Sequence, residues 1–152
     1  AVMVCPAFIH ADSQLAGVND VFNAILVRGD STGDVVFYGK GAGKLPTASA
    51  VVADVVIAVK MKASSKSLYW EDSDQDFIED TNNIVLESYI RVKGVSKEEA
   101  EALFGKVSYL TGKGAADDEL AFIAPAMSEK DRNEALAKLG DKVLGHIRVL
   151  DY

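Results

Sequence analysis

"IVLESYIRVKGVSKEEAEALFGKVSYL", residues 84–110, contains the change of period that decides the fold. Ile84, Leu86, Ile90 and Val92 share one side of an extended chain, because successive strand side chains point to opposite faces. Past Gly94 the rhythm changes. Ser96 with Glu99 forms a capping box, and Ala100, Leu103, Phe104 and Val107 recur at helical spacing. Downstream, "KVSYLTG" (106–112) reads as a second strand and "ELAFIAP" (119–125) as a third, with the turn-rich "KGAADD" (113–118) between them. Ser128 caps a second helix, "EKDRNEALAKL" (129–139), and Gly140 is placed to end it. "KVLGHIRVL" (142–150) closes as a fourth strand. The predicted order is β-α-β-β-α-β, the split pattern of a ferredoxin-like sandwich, and the fold class is α+β.

Upstream the character differs. Residues 63–83, "ASSKSLYWEDSDQDFIEDTNN", are polar and acidic and read as a linker. Tyr69, Trp70 and Phe77 within it are expected to lie against a domain surface. Before the linker, "VFNAILV" (21–27) and "VVFYG" (35–39) flank "RGDSTGD", a hairpin signal. Next comes "YGKGAGKLPTASAVVADVV" (38–56). Pro46 suits a first helical turn, where its missing N–H costs nothing. Ala48, Val51, Val52, Val55 and Val59 then recur at helical spacing, although valine by itself favours strand. Residues 2–9 read as extended with a turn at Pro6, and 10–17 as polar and turn-like. The expected division is a first unit over 1–62, the linker over 63–83 and the ferredoxin-like unit over 84–152.

Composition narrows the function classes. At 49% hydrophobic and 26% charged the chain reads as globular. Its net charge of −7 argues against a nucleic-acid partner, which needs a surplus of Lys and Arg. No apolar run reaches membrane-spanning length. Cys5 is the only cysteine, so no intrachain disulfide can form, and a reducing, cytoplasmic compartment is expected. "AVMV" reads as a strand entered midway with no signal-peptide pattern, as expected of a piece of a longer protein.

Few residues look chemical. The glycines of "GKGAG" (39–43) can let backbone N–H groups approach an anion at a helix start, or they can simply make a tight turn. Spacing favours the bare turn. The dinucleotide fingerprint G-x-G-x-x-G needs its third glycine one position later and a second parallel strand after the helix. His10 reads as a surface histidine, and His146 as one that is partly buried or at an interface. The acidic run Glu71, Asp72, Asp74 and Asp76 lacks the glycine and closing glutamate of a calcium loop. Asp54 occupies one polar position on an apolar helix, and Cys5 reads as structural.

The residues from 18 to 56, "VNDVFNAILVRGDSTGDVVFYGKGAGKLPTASAVVADVV", resemble homoserine dehydrogenase, which carries V-N-x-V-F-N-A, F-Y-G-x-G-A-G and P-T-A-S-A-V-V-A-D at the end of its catalytic region. The resemblance implies an NAD- or NADP-dependent oxidoreductase that interconverts L-homoserine and L-aspartate 4-semialdehyde. It implies that the catalytic aspartates and lysine, and most of the nucleotide site, lie upstream. No catalytic residue is therefore assigned here. By the same carry-over Gly41, Ala42, Gly43 and Thr47 contact the cofactor, and the following helix packs toward the nucleotide domain. Residues 84–152 resemble the ACT domain that ends many members, which senses an amino acid and joins subunits into homodimers or higher homo-oligomers. Its junction "RVKGVSKEE" keeps Gly94, the candidate effector-binding residue, but not the Asp/Asn and Pro-Gly usual there. An amino-acid sensor and a purely structural dimerisation domain both remain open.

Overall fold

A computed structural model of the chain describes residues 1–41, 43–61, 71–112 and 116–151. In chain order the elements are β1 (Ala7–Ile9), β2 (Phe22–Gly29), β3 (Gly33–Lys40), α1 (Lys44–Lys60), β4 (Val85–Lys93), α2 (Lys97–Phe104), β5 (Ser108–Leu110), β6 (Glu119–Ser128), α3 (Glu129–Leu139) and β7 (Val143–Leu150). They fall into two units. Among the described residues, one holds residues 1–10 with 75–151, and the other residues 11–61 with 71–74.

The larger unit is a five-stranded sheet in the order β1-β7-β4-β6-β5. β4 runs antiparallel to both β6 and β7, and β5 antiparallel to β6. The four C-terminal strands with α2 and α3 form the ferredoxin-like pattern expected from the sequence. Ile90, Val92, Phe122 and Ala124 of the sheet are buried with Ala100 and Phe104 of α2 and Ala135 and Leu139 of α3. Both helices start where the caps place them. The Ser96 hydroxyl accepts from the Glu99 N–H at 3.1 Å, and the Ser128 hydroxyl from the Asp131 N–H at 3.0 Å. Gly140, at φ 53°, ends α3 in a conformation that favours glycine.

The first strand differs from its expected place. Residues 1–62 were read as one unit, but β1 pairs in parallel with β7, matching Ala7 to Arg148, Phe8 to Val149 and Ile9 to Leu150. Three residues carry too little pattern to name their partner, and this partner lies at the far end of the chain.

The smaller unit contains the hairpin and α1. β2 and β3 pair from Phe22–Lys40 to Gly29–Gly33. Near the turn, Arg28 grips Asp34 through Nε at 2.7 Å and Nη2 at 2.9 Å. Phe22 stacks on Tyr38 with ring centroids 4.9 Å apart. α1 forms as the proline and spacing indicated, yet none of its residues is buried. Val51, Val52, Val55 and Val59 are all more than half exposed.

In the linker, Tyr69 and Trp70 lie outside the described residues. Phe77 is 74% exposed and does not rest on a domain surface as expected. Among the described residues no helix is long and apolar enough to cross a membrane.

Candidate functional site

The glycine turn joins β3 to α1. Asn23 pairs with Gly39 across the hairpin, and its side chain lies against Gly41. A Cβ on Gly41 would collide with the Asn23 carboxamide nitrogen, so that flexible side chain would have to swing aside for any larger residue. Ala42 lies outside the described residues. Gly43 is the N-cap of α1 at φ 124° and ψ 153°, a region that L side chains rarely adopt. Gly43 therefore has a conformational reason, which fits the turn reading favoured by spacing.

The turn also leaves donors available. The first intrahelical bond runs from the Thr47 N–H to the Gly43 carbonyl at 3.1 Å. No side chain caps α1, its first turn carries no acid, and Lys44 stands at its first position. The N–H groups of Gly43, Lys44 and Leu45 precede that bond, while Pro46 has no N–H to leave unpaired. Gly41, Gly43, Lys44 and Thr47 are exposed. Such an end attracts negative charge through its aligned amides and the helix dipole. The exposed backbone donors and the lysine fit the phosphates of a dinucleotide.

Gly94 belongs to the other unit. It sits at φ 63° between β4 and α2 and donates its N–H to the Asp118 carbonyl at 2.8 Å. An added Cβ would meet nothing within 4 Å, so the backbone angle alone favours glycine. Close in sequence but separate in its lining is an open depression of about 660 Å³, bordered by Tyr89, Arg91, Lys97, Tyr109, Leu110 and Glu119. Arg91 reaches one Glu119 oxygen through Nε at 2.9 Å and Nη2 at 2.6 Å, and this hydrogen bond raises the guanidinium pKa. The Lys97 ammonium lies 5.0 Å from the Tyr109 ring centroid. Burial and the nearby Glu101 carboxylate raise the Tyr109 phenol. These residues come from β4, α2, β5 and β6, so no sequence motif unites them.

A third constellation is buried. Glu129, at the start of α3, binds Arg132 through both carboxylate oxygens, and Arg148 through Nε–Oε1 at 2.8 Å and Nη2–Oε2 at 2.7 Å. Arg132 also donates to the Ser88 hydroxyl at 3.3 Å. Burial alone would raise the Glu129 carboxyl, but hydrogen bonds from Arg148 and Arg132 outweigh it and bring it down to about 2. His146 is exposed as a residue, yet enough protein surrounds its ring for burial to act on it. Its pKa is lowered by desolvation and then by the Arg132 and Arg148 charges. Cys5 is half-buried. Asp54 is exposed on α1. No cluster of acids, histidines and cysteine suited to a metal occurs among the described residues.

A family model of homoserine dehydrogenase matches residues 1–56. The homoserine dehydrogenase of a Synechocystis strain is 55% identical over 62 residues, which are 41% of this chain and 14% of that protein. That of Corynebacterium glutamicum is 37% identical over 108 residues, 68% of this chain and 24% of that protein. The chain therefore spans less than a quarter of the length of these curated relatives. Among solved structures, the homoserine dehydrogenase from Thiobacillus denitrificans superposes with a TM-score of 0.72 at 26% identity, covering 97% of this chain and 38% of that one. The Staphylococcus aureus homoserine dehydrogenase gives 0.63 at 28% identity, covering 95% and 36%. By sequence over its first 56 residues and by fold over nearly all its length, the chain is similar to homoserine dehydrogenases, of which it spans a part.

Proposed function

We propose that this chain serves a homoserine dehydrogenase that interconverts L-homoserine and L-aspartate 4-semialdehyde in the cytoplasm, in the synthesis of threonine, methionine and isoleucine. NAD or NADP supplies the hydride acceptor or donor for that reaction. This chain's part is to hold the nucleotide through the turn at Gly41, Ala42, Gly43 and Thr47. The observation that carries the reading is the exposed, uncapped start of α1 inside the family-matched residues. The Gly43 and Lys44 amides donate toward the anionic cofactor, and Lys44 adds positive charge. The valine-rich face of α1 supports the same reading, because so large an exposed apolar surface suits packing against another domain. The catalytic lysine and acids belong to other parts of the enzyme, so this chain alone is inactive.

The test is an NMR titration of the chain with NADP. Shifts centred on the amides of Gly43 to Thr47, lost in Gly43→Val, support the role. Shifts absent from that turn, or homoserine oxidation by the chain alone, overturn it.

A second reading concerns the ferredoxin-like unit as an amino-acid-sensing or dimerising module. The positive φ of Gly94 at the β4–α2 junction and the nearby depression with its Arg91–Glu119 pair favour it. Calorimetry with threonine, alongside sedimentation, separates a sensor from a homodimer that binds no ligand.

A further inference from the structure

We infer that the depression beside β5 takes an α-amino acid with an aliphatic side chain, its carboxylate on Arg91 and its ammonium on Glu119. This rests on the amino-acid-sensing reading of the ferredoxin-like unit and moves the ligand away from Gly94. The Gly94 N–H is already spent on the Asp118 carbonyl at 2.8 Å. The depression keeps hydrogen-bonding capacity of both signs. Arg91 gives Nε and Nη2 to a single Glu119 oxygen, Oε2, at 2.9 Å and 2.6 Å. Among the described residues nothing bonds Arg91 Nη1 or Glu119 Oε1. An α-amino acid carries its carboxylate and ammonium on one carbon. It can meet that donor and that acceptor together and leave the Arg91–Glu119 pair intact.

The strand register builds an apolar floor beside these charges. Arg91 on β4 pairs with Ala121 on β6, and Ala121 pairs with Leu110 on β5, so the three lie in one row on one face. Their neighbours Ile90, Val92 and Phe122 point the other way, into the core with α2 and α3. The row therefore lies on the side of the sheet that those helices leave open. Ala121 is small, and the floor sinks between Leu110 and the Tyr89 ring, which both border the depression. An aliphatic side chain suits that floor, while a few polar groups fix its orientation. Two cations, Arg91 and Lys97, and one acid, Glu119, stand around a volume of about 660 Å³. The surplus positive charge favours a ligand with a carboxylate over a simple amine.

The experiment is an NMR titration of the whole chain with L-leucine, run beside isocaproate and isoamylamine, which lack its ammonium and its carboxylate respectively. Leucine is expected to bind in roughly the millimolar range, with shifts centred on Arg91, Leu110 and Ala121. Each analogue should bind about tenfold more weakly or worse, because it forfeits one charge-assisted contact. Arg91→Gln should weaken leucine by a similar factor, and Ala121→Leu, which fills the floor, should abolish its binding. Protection of the Ile90 and Phe122 amides checks that both variants fold, and the analogue series decides on the parent chain if either does not. Leucine shifts centred on Gly94 to Ser96 keep the sensing reading and overturn this site. Isocaproate bound as tightly as leucine overturns the role of Glu119. Threonine bound without leucine, isoleucine or valine overturns the aliphatic ligand alone. Binding of none of the four overturns the sensing reading and this inference together.

Discussion

Arg148 and Glu129 meet in a two-pronged pair, 2.8 Å and 2.7 Å, that ties the last strand to the first turn of the last helix. The carboxylate also holds the wholly buried Arg132, so one acid serves two guanidinium groups. Glu129→Gln would strand both cations with one neutral partner. Breaking a buried pair from one side costs about 3–5 kcal/mol. Faster exchange of the β4 and β6 amides checks it, and an unchanged rate would show that the two arginines find other acceptors.

Acid should loosen the same centre. The ordinary Glu129 carboxyl titrates near 4.5, and in the fold it is held at about 2. As pH falls below 4.5 the unfolded chain takes up the proton first. The stabilisation is therefore full above 4.5, declines between 4.5 and 2, and is worth about 3 kcal/mol in all. Glu129→Gln should flatten that limb of the stability–pH curve. His146 acts in the same direction at higher pH: its lowered pKa means that the unfolded side chain protonates first as pH drops through the ordinary histidine range near 6.5. His146→Gln should remove this shallower slope.

Gly41→Ala should disturb the turn through Asn23, and Asn23→Ala should relieve it. The collision is with the end of that one side chain, so the two changes must be non-additive. The carboxamide can swing aside, so a cost of at most about 1 kcal/mol is expected for Gly41→Ala, read from hairpin amide exchange. Additive effects would mean that Asn23 is not what holds Gly41.

Gly43→Ala tests a different constraint. A Cβ there would find Pro46 Cδ at 3.5 Å, an ordinary contact, but φ of 124° is unfavourable for alanine. A cost of about 1–3 kcal/mol follows from the backbone alone. Fraying confined to the first turn of α1, seen in amide shifts, is the expected signature.

Phe104→Ala should empty the centre of the ferredoxin-like core. Phe104 is 2% exposed and packs against Phe122 with centroids 5.5 Å apart. The expected cost is about 3–5 kcal/mol, measured by exchange of the Ile90 and Val92 amides. Ser128→Ala, which removes only a cap, should cost about 1 kcal/mol.

The ferredoxin-like order was legible because local signals agree: Ser96 and Ser128 cap, Gly140 stops, and the apolar period changes with each element. Residues 2–9 read as extended, but the partner of β1 was not legible, since its pairing with β7 leaves no mark on residues 7–9. The charge centre was hidden for another reason. Glu129 and Arg132 look like a solvated helix face, and only Ser88, a polar residue on the buried side of β4, hints that the core there must satisfy hydrogen bonds. In the candidate site the helix start was readable from Pro46. The closeness of Asn23 to Gly41 was not, because it depends on hairpin register.

The pairing of Ala7 with Arg148 has a consequence for biosynthesis. At about 5–20 residues per second a ribosome needs on the order of ten seconds to travel from one to the other. The segment around Ala7 must wait, unmatched, until β7 has been made. On a crowded polysome that interval is when neighbouring nascent chains are most exposed to one another, and it closes only when β7 emerges.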